Sequence, residues 1–200
     1  MYEVDARDRV LEIADIPQSS VGAPLPFVLS DEHATAVAYY CENTPPDWNG
    51  TTVQLVSAES DQPWAIVIFA TCYAHMFGPP NDEAFSGHPL ASRGLGPYGT
   101  YLVENSSWIR RLERMNSVHP SHRSESFERY HHIVLSFHDT TFECIATGYS
   151  VTLGQGPLNL TIPSMLQHLQ APKTHAPSIR HSTAIAQSEP EKRKRWWKLR

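Results

Sequence analysis

Apolar and polar positions along this chain follow the two-residue alternation and short continuous runs of β-strands, with one stretch at helical spacing. Residues 34–41 (ATAVAYYC) are rich in β-branched and aromatic side chains and stop at Asn43-Thr44-Pro45-Pro46, which predicts a strand. Asp47-Trp48-Asn49-Gly50 supplies a hairpin turn, and residues 51–57 (TTVQLVS) alternate as the returning strand. The run 64–73 (WAIVIFATCY) is almost wholly apolar and predicts a central strand buried on both faces. Strands at this spacing favour an antiparallel meander over βαβ units. Residues 98–104 (YGTYLVE) predict a fourth strand. A helix over 107–116 follows, capped by Asn105 or Ser106, with Trp108, Ile109, Leu112 and Met115 on one face and Arg110, Arg111, Glu113 and Arg114 on the other. Residues 124–129 offer a single helical turn. Residues 130–138 and 141–151 predict a hairpin about Asp139-Thr140, with Ile133, Leu135 and Phe137 on one face and His132, Val134, Ser136 and His138 on the opposite one. Residues 153–157 (LGQGP) read as a turn and 158–162 as a last strand.

The expected fold is therefore α+β and β-rich: an antiparallel sheet curled into a barrel or sandwich, with one main amphipathic helix across a face. An N-terminal arm (1–33) precedes a β-rich globular domain (34–165), and a flexible basic tail (166–200) rich in Pro, Ser, Gln and charge follows it.

Composition sharpens this picture. Forty per cent apolar residues in a chain of 200 support one packed domain, which excludes wholesale disorder. No run reaches the roughly 18 apolar residues of a membrane span, and acidic residues open the N-terminus, unlike a secretory leader. A cytoplasmic protein is the expectation. Cys41, Cys72 and Cys144 each lie in an apolar run without CxxC spacing, which predicts buried free thiols. The net charge of −5 is uneven: residues 191–200 (EKRKRWWKLR) hold six of the sixteen basic residues. An acidic body argues against nucleic acid on the folded domain. The basic tail with Trp196 and Trp197 is suited to an anionic membrane surface or an acidic partner.

Candidate chemistry concentrates in residues 72–90 (CYAHMFGPPNDEAFSGHPL), a polar loop behind the most apolar run. His75 and His88 bracket it, Asp82 and Glu83 are adjacent within it, and His138 reaches the same end of the domain from the predicted hairpin. Imidazoles suit proton transfer near neutral pH, and a half-buried carboxyl pair suits a general acid. These five residues form the candidate catalytic set. His75, His88 and His138 with Glu143 also have the donor types of a three-ligand metal site, though no contiguous ligand spacing supports one and no cofactor is assigned. The plain alternative has the histidines bonding loop backbone. The function expected is a small-molecule enzyme with a His/acid pocket, working by proton transfer or a bound metal. The alternative is a non-catalytic β-domain that binds a ligand or partner, with homo-oligomerisation left open.

The segments 72–90, 105–112 (NSSWIRRL), 115–120 (MNSVHP) and 137–146 (FHDTTFECIA) resemble a family of small bacterial proteins of uncharacterised activity. The resemblance implies that residues 34–152 form one unit. It brings no ligand or functional residue with it.

Overall fold

The computed structural model describes residues 2–43, 49 and 55–170. Nine strands form two antiparallel sheets. The strands are β1 (Arg9–Glu12), β2 (Phe27–Ser30), β3 (Ala34–Tyr40), β4 (Gln62–Ala70), β5 (Ala74–Gly78), β6 (Thr100–Glu104), β7 (His131–Ser136), β8 (Thr141–Ala146) and β9 (Gly148–Gly156). The five-stranded sheet has the order β1-β6-β7-β8-β5, and the four-stranded sheet the order β2-β3-β4-β9. The helices are α1 (Ser107–Asn116) and α2 (Ile162–Gln170).

The expected β-rich α+β class is the observed one, and the two sheets close as a sandwich. Alternation makes the core: β3 turns Val37 and Tyr39 inward, β4 Ala65, Val67 and Phe69, β7 Ile133 and Leu135, and β8 Phe142, Cys144 and Ala146. Phe69 meets Phe142 across the gap at 5.3 Å between ring centres, and Tyr39 meets Phe137 at the same distance. Both outer faces are covered as well. Met165 and Leu169 of α2 lie over the second face of β3 and β4, beside Tyr40 and Ile66. Trp108 of α1, Tyr2 and the 85–95 loop cover Val103, Val134 and Ile145 of the larger sheet. Double coverage explains why β3 and β8 are buried at every position and why β3 reads as a nearly continuous apolar run.

Several expectations change. Residues 141–151 are two strands: Thr147 breaks them, and β8 stays in the larger sheet while β9 crosses to β4 in the smaller one. Residues 153–157 lie largely in β9 and are no turn, because Leu153 and Gly154 pair with Ala65 and Trp64. Residues 158–162 are a short 3-10 turn leading into α2, where Leu158 and Met165 are buried together. The first part of the 72–90 loop is strand β5, pairing with β8. Residues 1–33 supply an edge strand to each sheet, β1 and β2. The hairpin turn near residue 50 and residues 51–54 of the predicted returning strand fall outside the described residues, apart from Asn49, as does the tail from residue 171. Residues 55–57 carry no strand, and residues 166–170 belong to α2.

Gly154 gives this packing a direct test. A Cβ built there would fall inside the Trp64 indole, which lies across the glycine from the neighbouring strand. Gly154→Ala is expected to cost about 1–3 kcal/mol by forcing the ring off its seat. A lowered urea midpoint with an unchanged slope, accompanied by a shift in tryptophan emission, would register it.

Candidate functional site

The junction between β6 and α1 organises the polar chemistry of the molecule. Asn105 adopts a left-handed backbone (φ 52°), which asparagine tolerates better than most residues and which turns the chain sharply from strand to helix. Ser106 is the N-cap of α1 and its Oγ accepts from the Ile109 N–H at 3.2 Å. The next amide, Ser107 N–H, donates to Asp8 Oδ1 at 2.7 Å, so the N-terminal segment is strapped to the helix start.

Behind Ser106 runs a buried hydrogen-bonded chain. Ser106 Oγ lies 2.9 Å from His132 Nδ1, and His132 Nε2 lies 3.0 Å from Glu143 Oε2. His132 on β7 and Glu143 on β8 project from the outer face of the larger sheet and are diagonal neighbours, since His132 pairs with Ile145 and Val134 with Glu143. The second carboxylate oxygen takes the His88 Nε2–H at 3.0 Å, and Tyr2 O–H donates to Oε2 at 2.6 Å. Leu90 N–H donates to His88 Nδ1, which puts the ring proton of His88 on Nε2, facing the carboxylate. In the same way a proton on Ser106 directed at His132 Nδ1 puts the His132 proton on Nε2.

Glu143 thus receives three donors while its side chain is only 5% exposed and both imidazoles are sealed. Burial pushes a carboxyl pKa upward. Here the hydrogen bonds from His132, His88 and Tyr2 outweigh it and hold Glu143 down at about 2. Burial and the adjacent Glu143 charge drive the Tyr2 hydroxyl strongly up, which keeps it a donor. Aromatic rings wall the cluster: Tyr2 stacks on Trp108 at 5.3 Å, and both meet His132 edge-on. At its Ser106 end the chain adjoins a cleft, though Ser106 itself is buried. The cleft measures about 710 Å³; its apolar side includes Ile109, Phe127 and Tyr130 and its polar side includes Arg110 and His131.

The five residues predicted from the 72–90 loop and the hairpin occupy three places. His88 joins the buried cluster through Glu143. His75 lies on β5 opposite Cys144 and stacks on Phe142, which belongs to the inter-sheet core; burial lowers its pKa. Met76 is its neighbour on the strand and packs with the opposite, outer face, so the pleat holds His75 and the cluster apart. His138, Asp82 and Glu83 meet at the far end of the sandwich. Asp82 N–H donates to the His138 carbonyl at 2.9 Å, and Tyr98 O–H donates to Asp82 Oδ2 at 2.5 Å. His138 pairs with Asp139, whose hydrogen bond raises its pKa against partial burial, and the Asp82 and Glu83 charges add to the rise. A single pocket holding all five does not form. Among the described residues no three His, Cys, Asp or Glu side chains are placed to hold a metal ion. The nitrogens of His88 and His132 that face Glu143 are spent on its oxygens.

Sequence reasoning passed over Ser106, Tyr2 and the central role of Glu143. One signal was present: Glu143 is the lone charge in the otherwise apolar strand TFECIA, and a charge on a fully buried strand must be paired. Cys41, Cys72 and Cys144 are free thiols; Cys72 and Cys144 are buried as expected, whereas Cys41 is only partly buried. No described helix is long and apolar enough to cross a membrane. Comparison with family models, with curated proteins and with solved structures finds no match.

Proposed function

We propose that the protein is a hydrolase acting on small-molecule esters, with Ser106 as nucleophile, His132 as general base and Glu143 as the carboxylate that orients and charges the imidazole. The observation carrying this reading is the continuous chain Ser106 Oγ–His132 Nδ1 (2.9 Å) and His132 Nε2–Glu143 Oε2 (3.0 Å), ending at a cleft. In the acylation step Ser106 Oγ attacks the ester carbonyl and His132 Nδ1 takes its proton. The imidazolium pairs with ionised Glu143, and Nδ1 returns the proton to the departing alkoxide. Water then cleaves the acyl-serine with the same proton path. Glu143 is ionised throughout, as its depressed pKa requires, and the amide end of α1 at Ser106 favours developing negative charge. His88 and Tyr2 act as positioning residues for Glu143. A cytoplasmic setting belongs to the same reading.

The burial of Ser106, only 2% exposed, favours a second reading. In it the chain is a structural clamp joining β6, β7, β8 and the 85–90 loop, and the cleft binds a ligand without chemistry. A fluorophosphonate probe and p-nitrophenyl acetate separate the two. The hydrolase reading expects one adduct, mapped to Ser106 by peptide mass spectrometry, and a turnover rate that falls by about three orders of magnitude or more in Ser106→Asn. Asparagine keeps a capping oxygen while removing the nucleophile, and urea unfolding of the variant checks that it is folded when assayed. Absence of labelling in the wild type, or equal turnover by Ser106→Asn, would leave the clamp.

A further inference from the structure

A second cleft, of about 690 Å³, lies on the other side of α1; Arg7, Arg110, Arg111, Arg114 and Ser107 line it together with the acidic Glu3 and Asp5. Its charge is exceptional for this molecule. Residues 1–170 contain nineteen acidic residues and eight arginines, and no lysine. Four of those eight arginines face this one cleft. Two of them are already engaged: Arg7 and Arg110 both bond the Asp5 carboxylate at 2.7 Å, and Arg110 also donates to the Asn105 carbonyl. Arg110 is thereby held as a fixed wall. Arg111 and Arg114, one turn apart on α1 and exposed, form no ion pair in contact with another described residue. Arg114 feels the Glu113 charge beside it, and Glu3 and Asp5 also line the cleft, so the positive charge is offset only in part: four arginines face two carboxylates there. A guanidinium presents paired donors that match the oxygens of a carboxylate or phosphate.

Ser107 adds an independent sign of a missing partner. It is 7% exposed, and its hydroxyl is buried without a hydrogen-bond partner among the described residues. An unmatched buried hydroxyl costs free energy that a ligand oxygen would recover. The hydroxyl stands at the first residue of α1, where the helix end also favours negative charge.

We infer that this cleft is a binding site for a small organic anion bearing a carboxylate or phosphate, gripped by Arg111 and Arg114 against the fixed Arg110 and completed by the Ser107 hydroxyl. The inference is independent of the role of Ser106, whose cleft lies across the helix and shares only Arg7 and Arg110 as a common rim.

The test is a titration of the full-length chain with inorganic phosphate and, separately, with succinate, followed by calorimetry and by the arginine Nε–Hε signals in NMR. Saturable binding of either anion is expected, with the Arg110, Arg111 and Arg114 signals moving, and the better ligand names the anion's chemistry. Arg111→Ala/Arg114→Ala should weaken it by about tenfold or more, whereas Arg93→Ala/Arg123→Ala, which removes two exposed arginines elsewhere, should leave it unchanged. Ser107→Ala should weaken anion binding while leaving the unliganded protein as stable as before or more so, a sign opposite to that of a merely structural hydroxyl. Failure of both anions to bind at millimolar concentration, or equal binding by Arg111→Ala/Arg114→Ala with the basic tail intact, would overturn the inference.

Discussion

Glu143→Ala is expected to destabilise the protein by about 3–5 kcal/mol, because it strips the partner from three buried donors at once. Tyr2 O–H, His88 Nε2–H and His132 Nε2–H would each be left in a sealed, aromatic-walled space. Urea denaturation at neutral pH measures this directly. The same contact has an acid signature. Folding lowers the Glu143 pKa from 4.5 to about 2, so the folded state binds its proton more weakly than the unfolded chain. The stabilisation it provides is complete above pH 4.5 and is lost as pH falls toward 2. Its size is about 3 kcal/mol from the shift. Glu143→Gln should abolish that part of the pH dependence between about 5 and 2. A Gln variant that retains the full wild-type acid slope would show that other carboxylates set it.

Phe69→Ala is the second large effect, and it acts on the opposite face of the larger sheet. Phe69 is fully buried at the centre of the sandwich, 5.3 Å from Phe142 on the facing sheet and 6.3 Å from Tyr149 on its own. Truncation removes contacts between sheets that no strand hydrogen bond replaces, and the gap cannot collapse without moving β4 toward β8. A loss of about 3–5 kcal/mol is expected. Because Phe69 and Phe142 touch, the double variant Phe69→Ala/Phe142→Ala should fall short of additivity by about 1 kcal/mol. Full additivity in denaturant unfolding would mean the two rings do not share a contact.

The two effects also separate what the site depends on. On the proposed hydrolase reading, Glu143→Ala should remove any turnover together with stability, because the imidazole loses its counter-charge. Phe69→Ala should lower stability and, on the same reading, leave any turnover of the folded fraction intact, since its ring lies on the far side of β8 from Ser106 and His132. Gly154→Ala belongs with Phe69, as it disturbs only the packing of β4 against β9.

Much of the fold could be read in one dimension. The strand at Ala34–Tyr40, the helix Ser107–Asn116 and the alternation through His132, Val134 and Ser136 emerged from periodicity, because side-chain direction in a regular element follows from residue number. The assignment of strands to sheets did not. Residues 141–151 form one continuous pattern, yet Thr147 divides them between two layers, a decision made by which partner strand each half can cover. Likewise 158–162 carries a strand's composition, but the exposed face of β3 needed a lid, and α2 with its preceding turn supplied it.

The candidate site shows the same division. The sequence by itself determined the β-rich class, the acidic body, the placement of α1 behind a cap at Asn105 or Ser106, and that Glu143 is the lone charge of its strand. Only the tertiary structure decided which histidines matter together. The pleat sets His75, exposed on the edge strand β5, on the Cys144 side of the sheet and Glu143 on the other, and the loop returns His88, thirteen positions after His75, to the Glu143 face. Tyr2 and His132, 130 positions apart, meet at the same carboxylate. Local pattern fixes the side of an element on which a residue lies. The identity of its neighbour across a buried face is set by how separate strands and loops stack, and no spacing along the chain encodes it.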